Sequence, residues 1–237
     1  MKVLLTLHDL SQHGGVQTWT YEMARVLQAR GHSVDVMCIK DGIFMDRLAT
    51  VVDRVFVNSW PGADQDLVLA CHRTPMEALN HYGHNGFKVY TQHGPFHPAE
   101  QYPGGADAVV AVSEEVKLHL AGKGHPATVI RNGIDLKRHI DFTGGRDRDY
   151  DVLSLCKGRR GRDMVNMAAR KLGWKIQRIH YEDNPEDELQ DAMNNARIVV
   201  GYGRTALEAA ACGARVFVFD ARGSDEPRAD GWVTKAT

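Results

Sequence analysis

The chain has 237 residues, 43% of them hydrophobic and 25% charged, and its 29 basic and 30 acidic side chains leave a formal net charge of −1. These ordinary globular values suit one large or two small domains, each able to bury a core. A near-neutral chain has no global field favouring nucleic acid or an anionic membrane, and no apolar run approaches the roughly 20 residues that cross a bilayer.

In chain order, short β-branched runs alternate with amphipathic ones. Residues 3–7 predict a strand, 8–15 a polar loop ending in glycine, and 16–30 a helix, with Trp19, Met23, Val26 and Leu27 at helical spacing and Gly31 as its stop. Strands follow at 34–39, 51–57, 67–71, 88–91 and 108–112, with helices at 75–81 and 113–121; Ser113 is the expected N-cap of the latter. The polar, glycine-rich stretch 141–149 (DFTGGRDRD) reads as a linker. Beyond it come strands at 152–156, 175–180, 198–201 and 216–219, and helices at 162–172, 186–194 and 205–212. The expected fold class is therefore α/β, with two doubly wound parallel sheets: residues 1–140, the linker, and a short second domain at 150–237. Open parallel sheets bind ligands at the carboxyl ends of their strands, so two facing sheets would share a cleft.

Four segments put chemistry at such strand ends. In 10–17 (LSQHGGVQ), Gly14 and Gly15 open a helix whose free N–H groups suit an anion. In 91–95 (TQHGP), His93 stands where a strand ends and can hydrogen-bond a hydroxyl or phosphate. In 157–162 (KGRRGR), Lys157 and Arg162 belong to a cluster of four cations that suits a diphosphate. In 201–208 (GYGRTALE), Gly203, Arg204 and Thr205 start a helix, and Glu208 one turn further suits a pair of ribose hydroxyls. His180 and Tyr181 mark a strand end where a base could stack. The spacings His81-x-x-His84 and His93-x-x-x-His97 imitate metal ligands, but no carboxylate or cysteine completes a set, so no metal is expected. Cys38, Cys71, Cys156 and Cys212 lack zinc spacing and are expected to be reduced and buried, as suits a cytoplasmic chain.

Together these segments resemble glycosyltransferase family 4, the retaining nucleotide-sugar enzymes of the GT-B fold. GGVQTWTYEMARVLQARGHSVDVMC is similar to the family's first loop, helix and second strand, YTQHGPF to its strand-end histidine motif, and ADAVVAVSEEVKLHL with VIRNGID to the run into its hinge. GRTALEAAACGARVFVFD is similar to its donor-site helix and next strand. The resemblance implies a UDP- or GDP-sugar donor, metal-independent transfer, and an acceptor that is a glycan, lipid, small molecule or modified base. It implies Gly15 near the donor phosphates, His93 on the acceptor side, Lys157 and Arg162 as the basic pair five positions apart, and Glu208 as the second glutamate of the E-x7-E motif. The first glutamate falls at Val200, and the second domain is shorter than the family's. A non-catalytic sugar-nucleotide-binding module and another GT-B enzyme, such as a nucleotide-sugar epimerase, are the alternatives.

Overall fold

A computed structural model describes residues 1–144, 146–156, 159–179, 186–220 and 228–234. It divides into two compact units, Met1–Asn132 and Gly133–Thr237.

The first unit runs β1 (Lys2–Asp9), α1 (Gly15–Ala29), β2 (Ser33–Lys40), α2 (Met45–Ala49), β3 (Arg54–Val57), β4 (Leu67–Ala70), α3 (Arg73–Tyr82), β5 (Phe87–Gln92), a 3-10 turn (Pro98–Glu100), β6 (Ala108–Ala111), α4 (Glu114–Ala121) and β7 (Thr128–Val129). Its seven strands are parallel, in the order β3-β2-β1-β4-β5-β6-β7. Both faces of β1 are covered, which is why its sequence is continuously apolar. Val3, Leu5 and Leu7 pack with Val16 and Ala24 of α1, whereas Leu4 packs with Val68, Ala70, Tyr90, Met76 and Leu79. The predicted stop of α1 is realised by Gly31 at φ 80°, with Gly31 N–H donating to Gln28 O and His32 N–H to Leu27 O. Ser113 caps α4 as expected, its Oγ accepting from Val116 N–H at 3.2 Å.

At the amino-terminal edge of this sheet, buried Asp35 accepts two bonds from Arg54, at 3.0 and 2.6 Å. Gln65 joins it from the start of β4 and is bonded in turn by His84 at 2.8 Å. This network consumes His84, one of the residues with metal-like spacing. All four cysteines are free and buried.

The second unit runs β8 (Tyr150–Ser154), α5 (Arg159–Leu172), β9 (Ile176–Arg178), α6 (Glu186–Asn195), β10 (Ala196–Gly201), α7 (Arg204–Ala211), β11 (Arg215–Asp220) and β12 (Arg228–Trp232). The order is β12-β11-β10-β8-β9, parallel except for β12, which lies antiparallel on β11. That edge strand is absent from the sequence reading. Leu153, Leu189, Met193, Val199, Ala209 and Val216 form one core; Val152, Ala169, Val200 and Phe219 form the other.

The division between the units falls ahead of residues 141–149, the stretch read as a linker from its composition. That stretch is fastened into the second unit. Phe142 N–H donates to Asn194 Oδ1, and the Arg148 guanidinium donates to the carbonyls of Met193, Ala196 and Cys212 at 3.0–3.1 Å. A cation is well placed there, because those carbonyls lie at the negative ends of α6 and α7.

Candidate functional site

In an open parallel sheet, ligands bind where neighbouring strands are followed by connections running in opposite directions. The strand orders put one such point in each unit: between β1 and β4 in the first, between β8 and β10 in the second.

In the first unit, Gly14 is the N-cap of α1 in an extended conformation, with no side-chain cap and no acidic residue in the first turn. The buried Gln17 side chain folds back against Gly14 and donates its Nε2 to Asp9 O at 2.7 Å, so an amide, and no carboxylate, stands at this helix start. Nothing lies within 4 Å of where a Cβ on Gly15 would stand. His93 follows β5 and lies edge-on to Trp19 of α1, ring centroids 5.2 Å apart, with its Nε2 3.3 Å from the Cys71 thiol. The structure thus brings the predicted histidine to the helix that the two glycines open. Burial pushes the Cys71 thiol well above its ordinary range, so it meets His93 as a neutral thiol.

The loop carrying Gly14 rests on Gly42. A Cβ there would stand 2.2 Å from Ser11 Cα and 2.8 Å from Leu10 O, both backbone. Gly42→Ala must therefore displace the loop 10–14 rather than rotate a side chain. The expected result is a loss of about 1–3 kcal/mol in urea unfolding, with amide shifts concentrated at residues 10–15 in a ¹H–¹⁵N spectrum. Shifts spread evenly over the unit would contradict this.

Two histidines outside the sequence-stated candidates stand at the same point. His8 lies at the end of β1, and His72 follows β4 as the N-cap of α3, with φ 68° and ψ 146°. Positive φ in a residue with a Cβ costs of order 1–3 kcal/mol and tends to persist where function requires it. The backbone N–H of His8 donates to His72 Nδ1 at 2.9 Å. Burial, with smaller contributions from His8 and His97, pushes the His72 imidazole from 6.5 down to about 4. His72 is therefore neutral at pH 7, and because Nδ1 accepts, its proton sits on Nε2. The positions of both histidines were visible in the sequence; the strained backbone that joins them was not.

In the second unit, Lys157 and its neighbour Gly158 lie outside the described residues, as do His180 and Tyr181. Arg162 is half-buried in the first turn of α5, which follows β8. Gly203 caps α7 at φ 59°, ψ −135°, a conformation that a Cβ would oppose, and among the described residues no side-chain cap bond is made there. Thr205 is buried behind it. Arg204 and Glu208 are paired rather than separate: Arg204 Nε donates to Glu208 Oε1 at 2.6 Å, and both side chains are only 5–6% exposed. His139 Nε2 lies 4.0 Å from the same oxygen, and Arg204 Nη1 donates to Gly133 O at 3.3 Å. Arg204 Nη2 is buried with no hydrogen-bond partner among the described residues. Val200 is buried in the core, flanked in the sheet by Ser154 and Phe217.

Among the described residues, no group of three or more His, Cys, Asp or Glu side chains is placed to hold a metal ion, and no helix is long and apolar enough to cross a membrane. His97, the other member of the metal-like spacing, caps the 3-10 turn through Nδ1.

No protein-family model matches this sequence, and no curated protein does. Solved structures do. Alr3699/HepE from Anabaena, in complex with UDP and glucose, is 17% identical, with a TM-score of 0.65 over 92% of this chain and 80% of that one. A protein assigned as a UDP-N-acetylglucosamine 2-epimerase from Listeria monocytogenes is 14% identical, with a TM-score of 0.55 over 92% of this chain and 78% of that one. At these identities the likeness shows the fold: α/β and GT-B-like, with two Rossmann-like units.

Proposed function

We propose that this chain is a glycosyltransferase that takes a sugar from a nucleoside diphosphate, with the donor held by the second unit and the acceptor by the first. The observation that carries the reading is the start of α7. There an uncapped helix N-terminus, opened by Gly203, stands at the β8/β10 switch point beside a buried guanidinium with an unused Nη2. A diphosphate oxygen supplies the missing acceptor and meets the helix dipole. The solved structure that holds UDP and glucose on a similar fold supports UDP as the nucleotide.

In this reading the difficult event is departure of the diphosphate. Lys157, Arg162 and Arg204 stabilise its growing charge as fixed electrostatics, so the transfer is metal-independent. Glu208 acts through Arg204 as a positioning residue, since its Oε1 is engaged by the guanidinium. His93, beside Trp19, faces the acceptor hydroxyl. Retention at the anomeric carbon and membership of glycosyltransferase family 4 belong to the same proposal and follow from the sequence resemblance.

The test is calorimetric titration of the whole chain with UDP, GDP and ADP. The expected result is UDP binding with a Kd in the micromolar to millimolar range, abolished in Lys157→Ala and weakened in Arg204→Gln. Absence of binding by all three nucleotides overturns the reading. A second reading, a sugar-nucleotide-binding module without turnover, draws on Val200, an apolar core residue where the family's E-x7-E motif has a carboxylate. UDP binding without hydrolysis or transfer in the presence of UDP-sugars would favour it.

A further inference from the structure

The polar side chains at the carboxyl edge of the first sheet fall on two faces. Successive strand residues point to opposite sides. Cys71 packs with the α1 side, where Trp19 and His93 also lie. Leu4, Val68, Ala70 and Tyr90 share the α3 side, so His8 in β1 and Gln92 in β5, at even spacing from Leu4 and Tyr90, belong to that side too. His72 joins them through its bond to the His8 backbone. The turn Pro98–Glu100 closes over this side, because Tyr90 Oη donates to Glu100 O at 2.9 Å. Gln92 and His93 are consecutive at the end of β5, so the face so formed meets the His93 side at the strand end.

Its hydrogen-bonding account is incomplete. Gln92 is 1% exposed; its Nε2 donates to Gly94 O, but its Oε1 has no partner among the described residues. His8 Nδ1 is likewise buried without one. Native structures rarely leave such atoms unmatched except where water or a ligand completes them. The atoms in want of partners include a carbonyl oxygen, which requires a donor. The charges nearby are those of Asp9, which contributes to His72 and is paired with Lys40 at 3.5 Å, and Glu100, which contributes to Tyr90. The guanidinium that also reaches Tyr90, Arg73, is held by Glu77 at 2.7 Å. The site therefore asks for a ligand that donates hydrogen bonds and carries no negative charge.

We infer that His8, His72 and Gln92 form a subsite for a neutral, hydroxyl-rich acceptor, a sugar ring rather than a phosphorylated or carboxylated one. This rests on the reading that the first unit holds the acceptor. The neutral His72 offers its Nε2 proton to a ring hydroxyl, Gln92 Oε1 accepts from one, and His8 Nδ1 completes a third contact. At the positive-φ His72 the imidazole is held by the His8 N–H, which donates to Nδ1 at 2.9 Å.

The experiment is a long-range ¹H–¹⁵N titration of the histidine rings in the whole labelled chain, with His8→Asn and His72→Asn used to assign the two signals. The probes are the methyl glycosides of glucose, galactose and mannose, with glucuronate and glucose 6-phosphate as anionic counterparts. The expected result is movement of the His8 and His72 rings with at least one methyl glycoside and with neither anion. Gln92→Leu should weaken that binding about tenfold, the worth of one good hydrogen bond, while leaving UDP affinity unchanged. Stronger perturbation by the anions, or no perturbation by any neutral glycoside, overturns the inference, whether or not UDP binds. Ring shifts with a glycoside in a chain that fails to bind UDP would sustain the subsite and sink the donor reading instead.

Discussion

Replacing Glu208 by alanine is expected to cost about 3–5 kcal/mol of stability, because it strands a buried guanidinium. Arg204 is 6% exposed and holds Glu208 Oε1 at 2.6 Å; without that oxygen it keeps, among the described residues, Gly133 O alone. The adjacent His139 is buried as well and offers no negative charge. Glu208→Gln retains an amide oxygen and should cost less. Replacing both partners with leucine removes the charges together and is expected to fall within about 1–2 kcal/mol of the parent chain, since an apolar pair of similar volume often substitutes for a buried ion pair. Urea unfolding of the four proteins checks this. A Glu208→Ala cost below about 1 kcal/mol would mean that the pair is not held in its buried geometry. The double variant has a second use: a folded chain without Arg204 should have lost much of its affinity for UDP, so it separates donor binding from folding.

Acidification from neutral pH to about pH 4 is expected to remove about 3 kcal/mol of stability through His72. The sign follows from proton counting. The folded-state value lies at about 4 and the unfolded one at 6.5, so between them the unfolded chain binds a proton that the folded chain refuses. Stability is complete above pH 6.5, falls as pH drops through the window, and levels off below about 4. The groups facing His72 act in both directions: His8 and His97 lower its value and Asp9 raises it, all less than burial does. Burial also lowers His84, adding to the same trend. Unfolding free energies measured across this range should decline steeply in the parent chain and less in His72→Asn. Superimposable profiles would show that His72 is not held neutral.

The parts of the fold that the sequence made legible are those with local causes. The α1 helix announced itself through its apolar spacing and Gly31, and Ser113 through its capping chemistry. The β-branched strands did so through continuous hydrophobicity, which two covered faces require. What escaped has little periodicity to read. The helix α2 is five residues and β7 only two. The β12 segment, RADGW, carries Asp and Gly inside a strand and owes its pairing to β11 rather than to its own propensity.

The candidate sites divide in the same way. Gly14, Gly15 and Gly203 stand at helix starts and His93 just past a strand, and their places follow from element order alone. The four-residue spacing of Arg204 and Glu208 was on view, but their burial depends on His139 and Gly133, some seventy positions away in sequence. His8 and His72 are 64 positions apart and meet only because β1 and β4 are neighbours in the sheet.

The place of Arg148 bears on how the second half of this protein can be excised. Its composition invites a cut at the glycine- and aspartate-rich stretch, leaving a fragment that begins with β8. Such a fragment loses the clasp across the ends of two helices: the Met193, Ala196 and Cys212 carbonyls lose their donor, and Asn194 loses its partners at Ile140 and Phe142. A fragment begun at Gly133 keeps all of these, together with the carbonyl that receives Arg204. What looks like dispensable tether is the fastening, and the portable module starts well upstream of its first strand.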